Sequence, residues 1–418
     1  MTDARDHQSA STPLRTLVLR VFAPFAAGYF LSYLLRVVNA VIAPDLVADL
    51  GIDATDLGLL TSANFFAFAA FQLPLGILLD RYGSRRTETV LLLVCASGCV
   101  VFALAGTLAG LVIGRALIGL GTSACLMAAF TAYVIWFPKP RLPLVNGCQM
   151  MFGSLGALSG AVPVEFALGY TDWRGVFWLL AGLATVLAAL IFVAVPRRGS
   201  AETSTETMDR QIAGIGRVFT SPLFWRVVPF SVSTQGTFLA VQSLWVGPWL
   251  RDIAGFPRDQ VAQVLSLAAA TMVVAYLVLA LVTDRLRHAG IGPIPVAATG
   301  MICFILVQVA IVAGAPVSPY VLWMGFGFFG SAGIIVYAGL NQHFPPELAG
   351  RVVTGANVLT FFAAFGLQWG IGAVIDLYPT TASGGYAPEG YRAAFLGLIA
   401  MQVVACTWFL SFRRAAIN

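Results

Sequence analysis

Charged residues are scarce in this chain of 418 residues. Asp, Glu, Lys and Arg together make up 10% of it, whereas globular domains average about 25%. Lysine occurs only at Lys139, and all other basic residues apart from histidine are arginines. So low a charge content excludes an ordinary water-exposed surface, and it predicts that most of the outer surface of the protein faces lipid.

Motifs that enzymes need are also missing. The three histidines, at positions 7, 288 and 343, lie far apart and suggest neither a metal site nor a catalytic dyad. No glycine-rich loop ending in Lys followed by Ser or Thr occurs, which argues against ATP as the energy source. All six cysteines fall within apolar runs and are expected to pack there rather than to form disulfides. The sequence therefore predicts no enzyme, no metal and no cofactor.

Long apolar runs are abundant. Hydrophobic residues make up 59% of the chain, and its mean hydropathy is +0.85. A bilayer is crossed by about 20 apolar residues, which must be helical because lipid cannot satisfy exposed backbone groups. The sequence thus predicts an all-α protein embedded in a lipid bilayer. The twelve predicted spans are residues 21–43, 57–79, 88–106, 110–134, 144–168, 176–195, 224–250, 260–282, 293–314, 319–341, 352–376 and 392–411.

The basic residues predict the orientation of these spans. An even number of spans places both termini on one side, and eighteen of the 24 Lys and Arg lie in the termini and loops of that side. Because basic loops stay in the cytoplasm, we expect both termini to be cytoplasmic. This asymmetry accounts for the net charge of +5, so nucleic-acid binding has no support. The first span is too long for a cleaved signal peptide, which predicts that the segment is retained.

The longest polar stretch between spans, Pro196–Thr220, divides the chain almost in half. We therefore predict an N-terminal six-helix bundle at 1–195, a cytoplasmic linker at 196–222 and a C-terminal six-helix bundle at 223–418. Two repeated bundles with a binding site between them are typical of secondary transporters.

The charged segment between the second and third spans reads Gly-Ile-Leu-Leu-Asp-Arg-Tyr-Gly-Ser-Arg-Arg, from Gly76 to Arg86. It resembles the signature loop of the major facilitator superfamily, which implies twelve helices in two pseudo-repeat bundles and alternating access. The resemblance also implies that Asp80, with Arg81, controls closure on the cytoplasmic side by facing the start of helix eleven. Gly83 is the turn glycine of the motif. A plain basic loop is the alternative.

Arg36 is a charge inside the first span, and such a residue is by default a functional candidate. Ser32, Arg36 and Asn39 share one helix face, which we expect to look into a central cavity together with Tyr33. This stretch resembles helix one of organophosphate and organic-anion transporters, where an arginine binds the anionic group of the substrate. The alternative is that Arg36 extends to the membrane surface.

Arg115 opens the fourth span within Gly114–Gly121, which resembles a second signature of the superfamily. The resemblance gives this arginine a part in proton coupling or in packing. Glu165 in the fifth span is expected at a similar depth, because helices four and five run antiparallel. We expect the two to pair, with Glu165 taking up a proton when Arg115 moves away. The alternative is that Glu165 reaches the outer water.

The rest of the predicted cavity wall is polar but uncharged. Organophosphate exchangers carry a second arginine in helix seven, and this chain has glutamines there instead. A single buried positive charge favours a monocarboxylate or a zwitterion over a dianionic phosphate. The remaining predicted binding residues are Gln235, Gln242, Tyr337, Asn357 and Gln368.

These features together predict a secondary transporter of a prokaryotic inner membrane that moves a small organic anion by a rocker-switch motion. We expect coupling to protons and a monomer. One alternative within transport is a proton-driven exporter of lipophilic, drug-like compounds. The alternative from another class is a receptor that binds a solute without transporting it.

Overall fold

The computed structural model describes residues 13–196, 216–381 and 384–411, so most of the predicted linker lies outside the described residues. Within these ranges the chain forms twelve long helices and no strands, which confirms the all-α prediction. The N-terminal bundle contains α1 (Leu14–Leu50), α2 (54–82), α3 (84–104), α4 (Leu108–Trp136), α5 (142–168) and α6 (Trp173–Ala194). The C-terminal bundle contains α7 (222–252), α8 (Arg258–His288), α9 (Pro293–Val312), α10 (319–343), α11 (Pro346–Ile375) and α12 (Pro388–Ser411).

Eleven helices of the described chain are long and apolar enough to cross a membrane. The exception is α7, which is as long as its neighbours but contains many buried Ser and Thr side chains and two half-buried glutamines. A π-helical turn, Val241–Trp245, interrupts it. Such turns often occur at functional sites, and this one carries Gln242, one of the predicted binding residues.

A sharp turn at Gly83 separates α2 from α3. Its φ of 75° and ψ of 162° suit glycine, which lacks the Cβ that would clash there. The hydroxyl of Thr87 donates to the carbonyl oxygen of Leu78 across the turn, at 3.1 Å. We call the end of the molecule that carries this turn the arginine-rich face, and the other end the opposite face.

Three helices that begin at the opposite face start with a side-chain cap. Asp53, Thr107 and Asp172 precede α2, α4 and α6, and each accepts a hydrogen bond from a backbone N–H in the first turn. Such caps satisfy donors that would otherwise be lost at the helix end. They fix where these helices start.

Glycines allow close helix packing inside the N-terminal bundle, as small residues do in other membrane proteins. A Cβ added at Gly121 of α4 would lie 2.4 Å from the backbone nitrogen of Cys95 in α3. One added at Gly114 would lie 2.8 Å from the backbone nitrogen of Phe102. Helices α3 and α4 therefore touch backbone to backbone, which fixes the frame around the central cavity.

Candidate functional site

A cavity of about 240 Å³ lies between the two bundles. Helices α1, α2, α4 and α5 form one side of its wall, and α7, α8, α10 and α11 form the other. Most of the wall is apolar, with a limited set of hydroxyl and amide groups. A concave, largely apolar site with few polar groups is typical of small-molecule binding.

Arg36 is the one charged side chain among the described residues that line this cavity. It is 8% exposed, and its guanidinium carbon lies 4.5 Å from the ring centre of Tyr33. No described acidic side chain pairs with it, and its Nε has no hydrogen-bond partner. The side chain thus faces the cavity rather than the membrane surface, and its positive charge is not neutralised by the described residues.

Two phenylalanines hold the Arg36 guanidinium from opposite bundles. Its carbon lies 5.4 Å from the ring centre of Phe68 in α2 and 5.2 Å from that of Phe361 in α11. The two rings stack on each other with centres 4.3 Å apart. Cations over aromatic faces are attracted by about 0.5–2 kcal/mol. Arg36 therefore touches both bundles where they meet.

Five of the other predicted binding residues also lie on the cavity wall. The side-chain amide of Gln235 donates to the carbonyl oxygen of Gly330 at 2.9 Å. The hydroxyl of Tyr337 donates to Asn357 Oδ1 at 3.4 Å, which joins α10 to α11. The lining residues from the predicted set are Tyr33, Gln235, Gln242, Tyr337 and Asn357.

The predictions that Asn39 and Gln368 bind the substrate need correction, because the structure places neither residue on the cavity wall. Asn39 is fully buried, and its amide donates to the hydroxyl of Thr61 at 2.8 Å. Gln368 is also fully buried and donates to the hydroxyl of Ser243 at 2.8 Å. A polar side chain in an apolar interior needs a partner, and here each amide has found one in a neighbouring helix.

Several lining residues were not predicted from the sequence as binding residues. Tyr29, Tyr276, Phe68 and Phe361 all line the cavity. The position of Tyr29 on the face of Ser32 and Arg36 was a usable signal, since all three line the same wall. The two phenylalanines carry no such signal, because the chain contains 30 of them.

The bundles touch at the opposite face through glycines. A Cβ at Gly247 of α7 would lie 2.3 Å from the carbonyl oxygen of Ala40 in α1. A Cβ at Gly372 of α11 would lie 2.2 Å from the carbonyl oxygen of Ala54 in α2. Any larger residue at either place would force the bundles apart, so the cavity is closed at this face by backbone contact.

Asp376, directly after α11, binds the start of α2 in the other bundle. Its carboxylate accepts from the backbone N–H groups of Ala54 at 3.2 Å and Thr55 at 2.6 Å, and from the Thr55 hydroxyl. A carboxylate at a helix N-terminus is stabilised by the free N–H groups and the helix dipole, by about 0.3–1 kcal/mol. This is the same chemistry that the sequence predicts for Asp80 at the other end of the same helix pair.

Glu165 does not pair with Arg115, so that prediction is wrong. Arg258 at the start of α8 donates to Glu165 at 3.0 Å and to Asp45 at 2.9 and 2.8 Å. We call these three residues the Arg258 cluster; it joins the two bundles at the opposite face. Arg115 is too deeply buried to reach Glu165, and it donates to the Leu35 carbonyl oxygen at 2.8 Å instead.

Replacing Arg258 by glutamine is expected to open the opposite face slightly. The cluster is partly exposed, and exposed ion pairs contribute about 0.2–1 kcal/mol each and weaken in salt. Because two pairs are lost, about 0.4–2 kcal/mol together, we expect about a 2- to 30-fold fall in the closed population. Spin labels would be placed on cysteines introduced at Gly106 and Val317, two exposed loop positions at this face. Opening of the face would appear as a longer distance between the two labels.

The matched control is Arg392→Gln, an exposed arginine of α12 outside the cluster. The control should leave the distance distribution unchanged. An equal shift in both variants would show that the cluster does not hold the bundles together.

Asp80 makes no comparable contact at the arginine-rich face. Asp80 and Gly76 are exposed, and the Asp80 carboxylate makes no hydrogen bond or ion pair with the described residues. Arg81 is also exposed and lies over the ring of its neighbour Tyr82, at 5.3 Å. The predicted contact of Asp80 with α11 is therefore not engaged in this conformation. The described residues therefore close the cavity at the opposite face, whereas Asp80 forms no closing contact at this one.

The part of the chain that the structure describes holds no group of three or more His, Cys, Asp or Glu residues that could bind a metal ion. The cysteines described there are unpaired and buried or half-buried. Arg36 therefore remains the main electrostatic feature of the cavity.

Comparison with known proteins assigns the chain to a family. The model of the Major Facilitator Superfamily matches residues 25–367. The chain is 26% identical to the probable sulfoacetate transporter of Cupriavidus necator over 394 residues, which cover 89% of this chain and 90% of that one. It is 26% identical to the hexuronate transporter of Escherichia coli K12 over 254 residues, covering 56% and 58%. It is 27% identical to the multidrug resistance protein MdtL of Escherichia coli over 235 residues, covering 54% and 57%.

Solved structures show the same fold. A bacterial homologue of the human lysosomal transporter Spinster, crystallised in an inward-facing and unoccupied conformation, superposes with a TM-score of 0.76. Its sequence is 14% identical, and the match covers 93% of this chain and 95% of that one. A D-xylose–proton symporter gives a TM-score of 0.74 at 16% identity, covering 94% and 98%. The likeness confirms two six-helix bundles.

Proposed function

Because the chain belongs to the Major Facilitator Superfamily, we propose that this multi-pass membrane transporter moves a small organic anion by alternating access. The observation that carries the proposal is Arg36, whose charge faces the cavity and has no acidic partner among the described residues. A guanidinium offers paired donors that match a carboxylate or sulfonate. Two relatives of the chain are a probable sulfoacetate transporter and a hexuronate transporter, both named for organic anions.

The position of Arg36 also suggests how binding is linked to movement. Its guanidinium lies against Phe68 of one bundle and Phe361 of the other, just inside the closed face. An anion that binds Arg36 changes the charge at the point where the bundles meet. Binding therefore alters the relative stability of the two conformations, which is the requirement for a ligand to shift such an equilibrium.

The proposed orientation follows from the arginines. We take the arginine-rich face as cytoplasmic, with both termini on that side of a bacterial inner membrane. On this assignment the structure is the inward-open conformation, with its outer face closed by Asp376 and the Arg258 cluster. We further propose that the transporter is a monomer, since the two six-helix bundles of one chain contain the complete cavity. We also propose that it works by proton-coupled symport.

Export of drug-like compounds is the second candidate. It is favoured by the apolar part of the wall, which includes Met127, Phe130 and Met150, and by the similarity to the multidrug resistance protein MdtL. Arg36 weighs against it, because a buried cation repels the lipophilic cations that such exporters carry. A receptor that binds without transport is the candidate of another class, and the two gated faces weigh against it.

Counterflow in proteoliposomes separates these candidates. Vesicles with purified protein would be loaded in turn with sulfoacetate, a hexuronate, a neutral sugar or a lipophilic cation, and uptake of the labelled compound followed. We expect counterflow with at least one of the anions and none with the neutral sugar. Exchange of the lipophilic cation alone would support export. Binding without any exchange would support a receptor.

A further inference from the structure

Glu88 is an acid that neither signature motif includes and that the sequence analysis did not select. It lies in the first turns of α3, just after the turn at Gly83, and it is 0% exposed. Neither carboxyl oxygen has a satisfactory hydrogen-bond partner. A Cβ added at Gly28 of α1 would lie only 2.5 Å from its Oε1, so the carboxyl group rests directly on the backbone of α1.

The surroundings of Glu88 contain few polar groups. From α4, the thiol of Cys125 is close enough for a weak hydrogen bond to the carboxyl group, and the phenol of Tyr133 is within electrostatic reach of it. The Tyr133 hydroxyl donates to Gln149 of α5 at 2.7 Å, and a methyl group of Ile191 faces the same glycine from α6. No described arginine forms an ion pair with the carboxyl. Cys125 and Tyr133 carry no charge in their ordinary state at pH 7, so neither compensates the charge of an ionised Glu88.

Such surroundings favour the protonated carboxyl group. An ionised carboxylate without a partner in a low-dielectric interior costs several kcal/mol, and the usual response is to bind a proton. Glu165, which the sequence suggested as the proton carrier, is different, because Arg258 forms an ion pair with it. Of the two acids, Glu88 has the surroundings that suit a bound proton.

Glu88 is also close to the anion site. Gly28, which it touches, precedes Arg36 by eight residues on the same helix, a rise of about 12 Å. The neighbour of Gly28, Tyr29, lines the cavity. The Cys125 thiol interacts with Glu88 and is also within electrostatic reach of Arg36, so the two side chains share this neighbour.

We propose that Glu88 is a proton-binding site whose occupancy is coupled through charge to the occupancy of Arg36 by an anion. The positive charge of an empty Arg36 favours the ionised carboxylate. A bound anion cancels that charge, and Glu88 then holds its proton more tightly. By linkage the effect is reciprocal, so a proton on Glu88 raises the affinity for the anion. This inference rests on the proposed function, and it assigns the proton of symport to a residue.

Proton uptake on anion binding tests the coupling. The anion identified by counterflow would be added to purified protein in weakly buffered solution with a pH indicator. We expect wild type to take up protons above neutral pH, where Glu88 of the anion-free protein is partly ionised, and its Kd for the anion to rise by about 5- to 150-fold as the pH is raised through that range. Glu88→Gln and Glu88→Met should bind the anion without proton uptake and with a Kd that does not change with pH. Glu389→Gln, at an exposed glutamate of α12, should behave as wild type.

Infrared spectroscopy provides a readout that needs no substrate. A carbonyl stretching band of a protonated carboxyl group is expected at neutral pH in wild type and in Glu389→Gln, and should be absent from Glu88→Gln. If no anion bound to wild type, but the band were present in wild type and absent from Glu88→Gln, the proposed substrate would be wrong and the proton site would stand. If the Glu88 variants took up protons as wild type does, or retained the band, the assignment to Glu88 would be overturned.

Discussion

Counterflow of the transported anion is expected to fall between about 30-fold and several thousand-fold when Arg36 is replaced by glutamine. Removing one partner of a buried, hydrogen-bonded charge pair costs about 2–5 kcal/mol, and each 1.4 kcal/mol is tenfold. Glutamine is shorter than arginine but keeps a polar group that can donate hydrogen bonds, so the main change is the loss of the positive charge. The measurement is the initial rate of exchange in proteoliposomes at several anion concentrations.

Two further variants show which property of Arg36 matters. Arg36→Lys keeps the charge and loses the planar fork, so an intermediate rate is expected. Arg392→Gln makes the same substitution at an exposed position of α12 and should leave exchange unchanged. Exchange by Arg36→Gln with the rate and KM of wild type would rule out Arg36 as the anion site.

Replacing Gly372 by alanine is expected to prevent closure of the opposite face and to stop transport. The added Cβ would lie 2.2 Å from the carbonyl oxygen of Ala54, a contact that neither backbone can relieve without separating α2 from α11. Overpacking of this kind costs about 1–3 kcal/mol. The closed population should therefore fall by about 5- to 150-fold, while the form that is open at the opposite face, in which the two helices part, is unaffected.

Gly370→Ala is the matched control, because a Cβ at that position of the same helix meets no atom within 4 Å. Both variants lose one glycine from α11, so they share any change in helix propensity. The distance between spin labels at positions 106 and 317 should lengthen in Gly372→Ala alone. Equal distances and equal transport in the two variants would contradict closure by backbone contact.

The two ends of the α2–α11 pair illustrate what the sequence could and could not predict. Asp80 was recognisable because it stands in a signature motif between two apolar spans. Asp376 has no motif, and it became visible only when the fold placed it at the N-terminus of α2. In the structure Asp376 is engaged and Asp80 is not. The same carboxylate-to-helix contact at opposite ends would then hold opposite conformations.

Arg36 and Glu88 show a similar difference. Arg36 was evident because a charge in the middle of an apolar helix is conspicuous. Glu88 stood at the border of a predicted span beside a polar loop, where an acid usually meets water. Its burial became visible only in the fold, where it is 0% exposed and lies against Gly28. Polar groups such as Asn39 and Gln368 could not be assigned at all, because a helix pattern does not distinguish a cavity wall from a helix contact.

The most direct test of the account uses calorimetry to compare the binding of an anion with that of its neutral amide. Both compounds are measured with wild type and with Arg36→Gln. Wild type should bind the anion at least about 30-fold more tightly than the amide, corresponding to about 2 kcal/mol. Arg36→Gln should bind the two alike, so that the preference disappears in the variant. If Arg36→Gln kept the full preference for the anion, the charge would be recognised elsewhere and the central claim would be wrong.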